Sequence, residues 1–521
     1  MLFSCYVNSY TISRTGLVKG NGRYHKPSHR NTEGDSVALH QNNRLSTGIE
    51  GLDIILHGGL IPRRTYLVRG SAGSGKTTLG LHFLSHSDNG LFITFGEKPS
   101  QIIDNAENLS IDTSHITFLD LSPGMDIFTD MTQYTVFSPS EIERGPLAEK
   151  ITEMLDKVRP ERIFIDAITQ LYYVTNNPIE FRRFVMSMME YVVKRGVTLL
   201  ITSEENDSES DGELTFAADG IIHLTSGRNK RELVIPKFRG SGFRYGPHTV
   251  RLTDTGMKVY PRLVEPEQSH RVFETEVISS GIPQIDKMLH GGLERGTVTL
   301  FTGPTGVGKS TLGMQFMSAA ATRGERSVVF TFEEDERTLI ERSVALNIPV
   351  RDMIDEGRLQ IVQIEPLRFT QDEFAAMVTH EVEDLNARIV MIDSVSGYEM
   401  SLQGDQLIRH LHTQSKYLRH MGVTTILVNE VHRIIDAFQA TEINISYLMD
   451  SIVFLRYFES KSELRRAIGV LKKRVSDFEK SMREIEFTED GIKVGEPLKG
   501  LRGILGGLSS QGYDITNPEI D

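Results

Sequence analysis

The chain spells one long pattern twice. Residues 46–83, STGIEGLDIILHGGLIPRRTYLVRGSAGSGKTTLGLHF, align without a gap on residues 279–316, SSGIPQIDKMLHGGLERGTVTLFTGPTGVGKSTLGMQF. Gly48, Asp53, Gly58, Gly59, Gly70 and Lys76 fall on Gly281, Asp286, Gly291, Gly292, Gly303 and Lys309. The likeness continues through LFITFGEKP and VVFTFEEDE, RIFIDAIT and RIVMIDSVS, and IPKFRG and VLKKRV. A match of this extent means two copies of one domain. A chain of 521 residues has room for two ordinary α/β domains and their tails.

Within each copy, short β-branched runs such as TYLVRG, LFITF and VTLLIT alternate with helical patterns such as PLAEKITEMLDKV. That alternation predicts α/β architecture, a mainly parallel sheet flanked by helices in each copy. The expected divisions are 44–261 for the first domain and 276–496 for the second. Residues 262–275, charged and proline-containing, read as the linker, and 497–521, rich in glycine and polar residues, as a flexible tail. Residues 1–43 carry Arg14, Lys19, Arg23, Lys26 and Arg30 with no acid before Glu33. They read as a disordered extension, with a transit-like segment as the alternative.

Composition removes several classes of function. A formal net charge of -13 argues against a protein built to neutralise a nucleic-acid backbone. No apolar run reaches the length of a membrane span, so no membrane association is expected. The single cysteine, Cys5, excludes an intrachain disulfide, and the cytoplasm is the expected location.

Each copy holds a P-loop, GSAGSGKTT (Gly70, Ser71, Ala72, Gly73, Ser74, Gly75, Lys76, Thr77, Thr78) and GPTGVGKST (Gly303, Pro304, Thr305, Gly306, Val307, Gly308, Lys309, Ser310, Thr311), between an expected strand and an expected helix. Glycines let backbone N–H groups turn inward on phosphates, the helix N-terminus adds a favourable dipole, and Lys76 or Lys309 reaches the β/γ-phosphates. ATP is the expected ligand, with Mg²⁺ held by Thr77 or Ser310. Asp166 and Asp393 each close an apolar strand; such an aspartate is often only a helix cap, but beside a P-loop the favoured role is to order the metal's water. A base or water-positioning group is expected at Glu333 and Glu334, with Glu333 also beside the metal; the first copy reads Gly96–Glu97 there, leaving Glu97 as its candidate.

Together these residues resemble the KaiC family, RecA-superfamily ATPases with two fused ATPase domains. The resemblance spans roughly 44–510 and rests on the paired P-loops, the HGGL before each, the FEE strand end and two Lys-x-Arg sites. It implies two tandem RecA-like domains and a homohexameric double ring with ATP at subunit interfaces. In such rings Lys237 and Arg239, and Lys472 and Arg474 with Arg466 in register, would reach a neighbour's nucleotide. Ser241, Thr253 and Asp254 match additional nucleotide contacts. The family's second domain is also an autokinase and autophosphatase. Its acceptor serine falls on Ser446, the following threonine on Tyr447, and a nearby threonine on Thr441. Tyrosine in place of threonine puts a two-site cycle in doubt, because its longer arm misplaces the hydroxyl. A KaiB-like partner is a further implication.

Two other readings compete. RecA relatives include DNA motors, against which stand the acidic composition and the lack of an aromatic and basic single-strand channel. An ATP-gated scaffold, with little turnover in the first copy, is favoured by Gly96.

Overall fold

The computed structural model describes residues 44–122, 146–171, 178–204, 214–227, 230–264, 276–402, 407–431, 447–460, 462–498, 501–502 and 510–511. The expected extension 1–43, most of the expected linker and tail, Thr441 and Ser446 lie outside the described residues. Among those described, no helix is long and apolar enough to cross a membrane.

The first copy folds as β1 (Thr65–Gly70), β2 (Gly90–Thr94), β3 (Ile116–Asp120), β4 (Arg162–Asp166), β5 (Thr198–Glu204), β6 (Gly220–Ser226), β7 (Arg231–Phe238), β8 (His248–Thr253) and β9 (Gly256–Tyr260). These form one sheet in the order β3-β2-β4-β5-β1-β6-β7-β8-β9. Neighbours from β3 through β6 are parallel, and β7 to β9 add an antiparallel edge. After a short ribbon of β10 (Val277–Ile278) and β11 (Leu293–Glu294), the second copy repeats the arrangement. Its strands are β12 (Val298–Gly303), β13 (Arg326–Thr331), β14 (Leu359–Gln363), β15 (Ala387–Asp393), β16 (Thr424–Glu430), β17 (Ser451–Ser460), β18 (Glu463–Lys473), β19 (Arg483–Thr488) and β20 (Gly491–Pro497). Their order is β14-β13-β15-β16-β12-β17-β18-β19-β20, the same permutation, so the duplication read from sequence is a duplication of topology.

Both faces of each parallel region are covered, which is why its strands read as continuous apolar runs. In β1, Tyr66 and Val68 join one core while Leu67 joins another on the opposite face; Phe301 and Leu300 divide in the same way in β12. Glycine one turn into each P-loop helix sets its depth. A Cβ on Gly80 would lie 2.1 Å from the Phe164 ring, and one on Gly313 would lie 2.3 Å from Met391 Sδ. The helix therefore lies close against β4 or β15, the strand that ends in the candidate aspartate.

The two copies meet at β8 and the helix Gln371–Glu383. Thr249 donates to Asp372 through its backbone N–H (3.2 Å) and its hydroxyl (2.9 Å). Arg251 forks onto Glu373, Nε to Oε1 at 2.5 Å and Nη2 to Oε2 at 2.7 Å. Glu373 also completes a capping box with Thr370 at the start of the same helix. Arg262 N donates to His248 Nδ1, and Leu263 packs on the second copy's core, so these first residues of the expected linker are held in place.

Asp372 sits in this seam almost fully buried, and burial pushes its carboxyl up to about 6 although its bonds to Thr249 pull the other way. His410, 4.0 Å away, is pushed down to about 4 by burial and, secondarily, by Arg262. Between those values both groups are neutral, so the contact is not an ion pair. A raised carboxyl contributes stability that is fully present below its unfolded value near 3.8 and is lost as pH rises through about 6, here worth about 3 kcal/mol. The Asp372→Asn protein is accordingly expected to melt higher than wild type at pH 7, with the gap closing as pH falls toward 4. A gap of constant size in thermal melts would exclude ionisation of Asp372 as its cause.

Candidate functional site

Each P-loop joins the end of a central strand to the start of a helix. Gly73 and Gly75 (φ 72° and 102°), like Gly306 and Gly308 (φ 73° and 107°), hold left-handed backbone that only glycine adopts without strain. The lysines fold over their own loops. Lys76 Nζ donates to Gly70 O (2.8 Å) and Ser71 O (3.0 Å), and Lys309 Nζ to Gly303 O (2.9 Å) and Pro304 O (2.8 Å). Burial pushes the Lys309 ammonium down, while Glu430, Asp393 and Glu333 hold it up. Ser71, Ala72, Gly73, Thr305 and Gly306 are exposed at the loop tips, whereas Ser74 and Val307 anchor the loops from below.

Sheet register brings the acids to the same edge. Gly70 pairs with Glu204 and Thr94 with Asp166; Gly303 pairs with Glu430 and Thr331 with Asp393. Asp166 accepts from Thr77 Oγ1 (2.6 Å) and from Thr202 Oγ1 (2.5 Å). Asp393 is bonded by Ser310 in the same way, and burial pushes its carboxyl up against that bond and the nearby charges of Arg342 and Lys309. A hydroxyl and one carboxylate beside a phosphate loop suit Mg²⁺, which completes its shell with water and phosphate oxygens. Among the described residues no cluster of three or more His, Cys, Asp or Glu forms a protein-only cage.

The two glutamates after β13 have different surroundings. Glu333 Oε1 accepts from Ser394 Oγ at 2.5 Å. Glu334 turns to Arg342 in an ion pair at 2.9 Å, and burial raises its carboxyl although Arg342 opposes the shift. In the first copy Glu97 accepts from Asn105 Nδ2 at 3.2 Å, at the same eight-residue spacing as Glu334 and Arg342. Burial and Asp166 both push the Glu97 carboxyl up. Glu97 is thus the counterpart of Glu334 in position and contact, and the place of Glu333 is taken by Gly96.

The basic pairs stand at the opposite edge of each sheet. Arg239 N donates to Asp219 O and Asp219 N to Thr65 O, so Arg239 is level with the first residue of β1. Arg474, Asp450 and Val298 repeat this at β12. From its first residue to its P-loop glycine each strand spans roughly 17 Å at ~3.3 Å per residue. Lys237 caps Thr215 O and Phe216 O, and Arg474 donates to Tyr447 O at 2.8 Å. Strand alternation explains the middle residue of each motif. Phe238 stacks on Tyr66, and Lys473 turns inward to Glu294 at 2.9 Å, which sends Lys472 and Arg474 to the other face.

Arg466 separates from this pair. It lies over Tyr457 (5.8 Å) and Phe487 (5.4 Å), the aromatic rings beside Gly306 and Gly308, and so borders its own P-loop. Thr253 and Asp254 likewise lie on the β8–β9 turn, whose Leu252 and Met257 abut Gly75; Thr253 Oγ1 is engaged by Gly256 O. Ser241 sits at the far edge, next to Gly242, which approaches His57. Thr78 and Thr311 are in the first turns of the P-loop helices.

A family model described as "ATPase: KaiC" matches residues 45–264 and, a second time, 278–499. The chain belongs to the KaiC family of ATPases. Similar curated proteins carry the same name. The circadian clock oscillator protein KaiC of Picosynechococcus sp. is 28% identical over 499 residues, covering 91% of this chain and 94% of its own. That of Synechococcus elongatus is 27% identical over 500 residues, covering 92% and 93%. The circadian clock protein KaiC3 of Synechocystis sp. is 27% identical over 484 residues, covering 89% and 94%. As a KaiC-family ATPase the chain binds nucleotide, and its two sites are built unequally. Sequence reasoning passed over Thr202, Arg342, Ser394 and Glu430. Of these, Glu430 closes the apolar run TTILVNE as Glu204 closes TLLITSE, a signal present in the sequence of both copies.

Proposed function

We propose that this KaiC-family chain assembles as a homohexamer, hydrolyses ATP with Mg²⁺ at its subunit interfaces, and in its second copy transfers a phosphoryl group to Ser446, acting as a timing or signalling component. One observation carries the reading. Lys309, Glu333 and Asp393 occupy the strand-end edge of the second sheet, while Lys472, Arg474 and Tyr447, next to Ser446 in sequence, stand at the strand-start edge. A site needing both edges requires a second copy of the chain.

In that site Lys309 grips the β/γ-phosphates, and Ser310 with Asp393, the latter through water, would hold Mg²⁺. When bound there, the metal would neutralise charge on the phosphate oxygens. Glu333 takes the proton of the nucleophile as its oxygen bonds to the γ-phosphorus and the bond to the β-phosphate oxygen breaks, releasing ADP. Water as nucleophile gives free phosphate; Ser446 gives phosphoserine. The neighbour's Lys472 and Arg474 meet charge spreading onto the transferred oxygens. The timing role follows the names of the relatives, a KaiB-like partner follows the family resemblance, and a cytoplasmic location follows the cysteine usage. A second reading applies to half the molecule: with Gly96 in place of a glutamate, the first copy holds nucleotide with little turnover.

Peptide mass spectrometry after incubation with Mg-ATP, with released phosphate measured in the same tube, tests this. One added phosphate on Ser446, lost in Lys309→Ala and kept in Lys76→Ala, is the expected result. Free phosphate with an unlabelled protein would remove the kinase and leave an ATPase whose output is conformational.

A further inference from the structure

We infer that Ser394 is a positioning residue for Glu333, and that the second copy owes its turnover to a three-residue device, Glu333–Ser394–Gly397, that the first copy lacks at every position. The inference rests on the reading that Glu333 receives the nucleophile's proton.

The hydrogen-bond roles in this device are fixed. Gly397 N–H can only donate, and it donates to Ser394 Oγ at 3.0 Å. The single hydroxyl proton of Ser394 is then left for Glu333 Oε1, 2.5 Å away. Ser394 is itself buried, 4% exposed, and it caps the helix Val395–Ser401, so its hydroxyl is held from both sides. One carboxylate oxygen of Glu333 is pinned, which leaves the other to accept the nucleophile's proton.

Gly397 makes the approach possible. A Cβ there would fall 2.7 Å from Phe332 Cβ and 3.1 Å from Glu333 Oε1, so any larger residue would press on the glutamate it faces. Asp393, the other strand-end acid, precedes Ser394 directly, which ties the metal-side carboxylate and the glutamate's anchor to one turn of chain. Glu334 has no part in this, being engaged by Arg342.

The first copy serves as the internal comparison. Aligned on Asp166 and Asp393, the three positions read Gly96, Ala167 and Gln170. A Cβ at Gly96 would meet nothing within 4 Å, so no steric reason excludes a side chain there. The glutamate, the hydroxyl that aims it and the glycine that admits it are absent together, as expected of parts that act as a unit. Thr77, Thr202 and Asp166 remain hydrogen-bonded in that copy, so the nucleotide-holding parts are retained where the aiming parts are gone.

The test is a double-mutant cycle on the full chain. In a Lys76→Ala background, which isolates the second copy, Ser394→Ala is expected to lower kcat on the order of tenfold to a hundredfold, with KM and affinity for a fluorescent ATP analogue unchanged. Ser394→Thr, which keeps the hydroxyl, restores most of kcat. Ser394→Ala added to Glu333→Gln produces no further fall, because the proton acceptor that Ser394 aims is already gone. An equal loss in both backgrounds, or a loss that appears in KM and is not rescued by threonine, would overturn the positioning role. Turnover retained when Glu333→Gln is made without Ser394→Ala in the same Lys76→Ala background would instead overturn the reading beneath it, so the two failures are distinct.

Discussion

The Glu333→Gln protein is expected to lose ATP turnover in its second copy by about 10²- to 10⁴-fold, the usual range for removing a positioned base, while ATP affinity stays close to wild type. Glutamine keeps the size of glutamate and an amide oxygen that accepts from Ser394 Oγ, so the end of β13 is preserved and only the proton acceptor is lost. Lys309, Ser310 and Asp393, the proposed phosphate and metal residues, are not touched. Glu334→Gln is expected to do much less to kcat, because that carboxylate is already occupied by Arg342. Turnover that survives in Glu333→Gln then reports the first copy, and adding Lys76→Ala should remove it. Steady-state phosphate release from the single and double variants checks this. A Glu333→Gln chain that hydrolyses ATP at half the wild-type rate in the Lys76→Ala background would take Glu333 out of the mechanism.

The second large effect concerns assembly. Arg474→Ala is expected to lower second-copy turnover by roughly 10³- to 10⁵-fold, the range seen when an arginine supplied to a phosphoryl-transfer site is removed. Lys309→Ala should be inactive there for a different reason, the loss of its own phosphate grip. Arg474 stands level with Val298, at the far end of β12 from Gly303, so in the proposed assembly the two lesions fall on opposite sides of an interface. Mixed in equal amounts and allowed to exchange subunits, the two inactive proteins should regain roughly a quarter of wild-type activity, since one interface in four then joins an intact lysine to an intact arginine. The mixture is best made in the Lys76→Ala background, so that only the second copy is read. No recovery in a mixture shown by mass to contain mixed assemblies would mean that the arginine acts within its own chain.

Much of the nucleotide site was legible in sequence because it is nearly contiguous. Gly70 to Thr78, and Gly303 to Thr311, carry their geometry in their own glycines, and the register that sets Asp166 and Asp393 beside them follows from apolar strands of similar length. The fold followed from the repeat and from strand and helix periods. Sequence did not show which of Glu333 and Glu334 faces the site, since two residues at a strand end alternate sides and only their partners, Ser394 and Arg342, decide between them. Ser394 itself reads as an ordinary helix cap until β13 and β15 are paired. The separation of Arg466 from Lys472 and Arg474 was equally hidden. All three lie on one hairpin, and the pairing of β17 with β18 sends its two ends to opposite edges of the sheet. The seam at Thr249, Arg251, Asp372 and Glu373 joins residues more than a hundred positions apart, and no local pattern announces it.

That seam bears on how the duplicated gene can change. The helix Gln371–Glu383 is held at its first turn by the first copy, while its Phe374 packs against Phe330 and Phe332 of the second. A recombination event that cut the gene at its repeat boundary would leave Arg251 without its carboxylate on one fragment. On the other it would leave Asp372 and Glu373, both buried in the full chain, opened to water beside a loosened helix start. Two halves that began as interchangeable copies are thus inherited as one unit, and each is free to diverge only where the other does not lean on it.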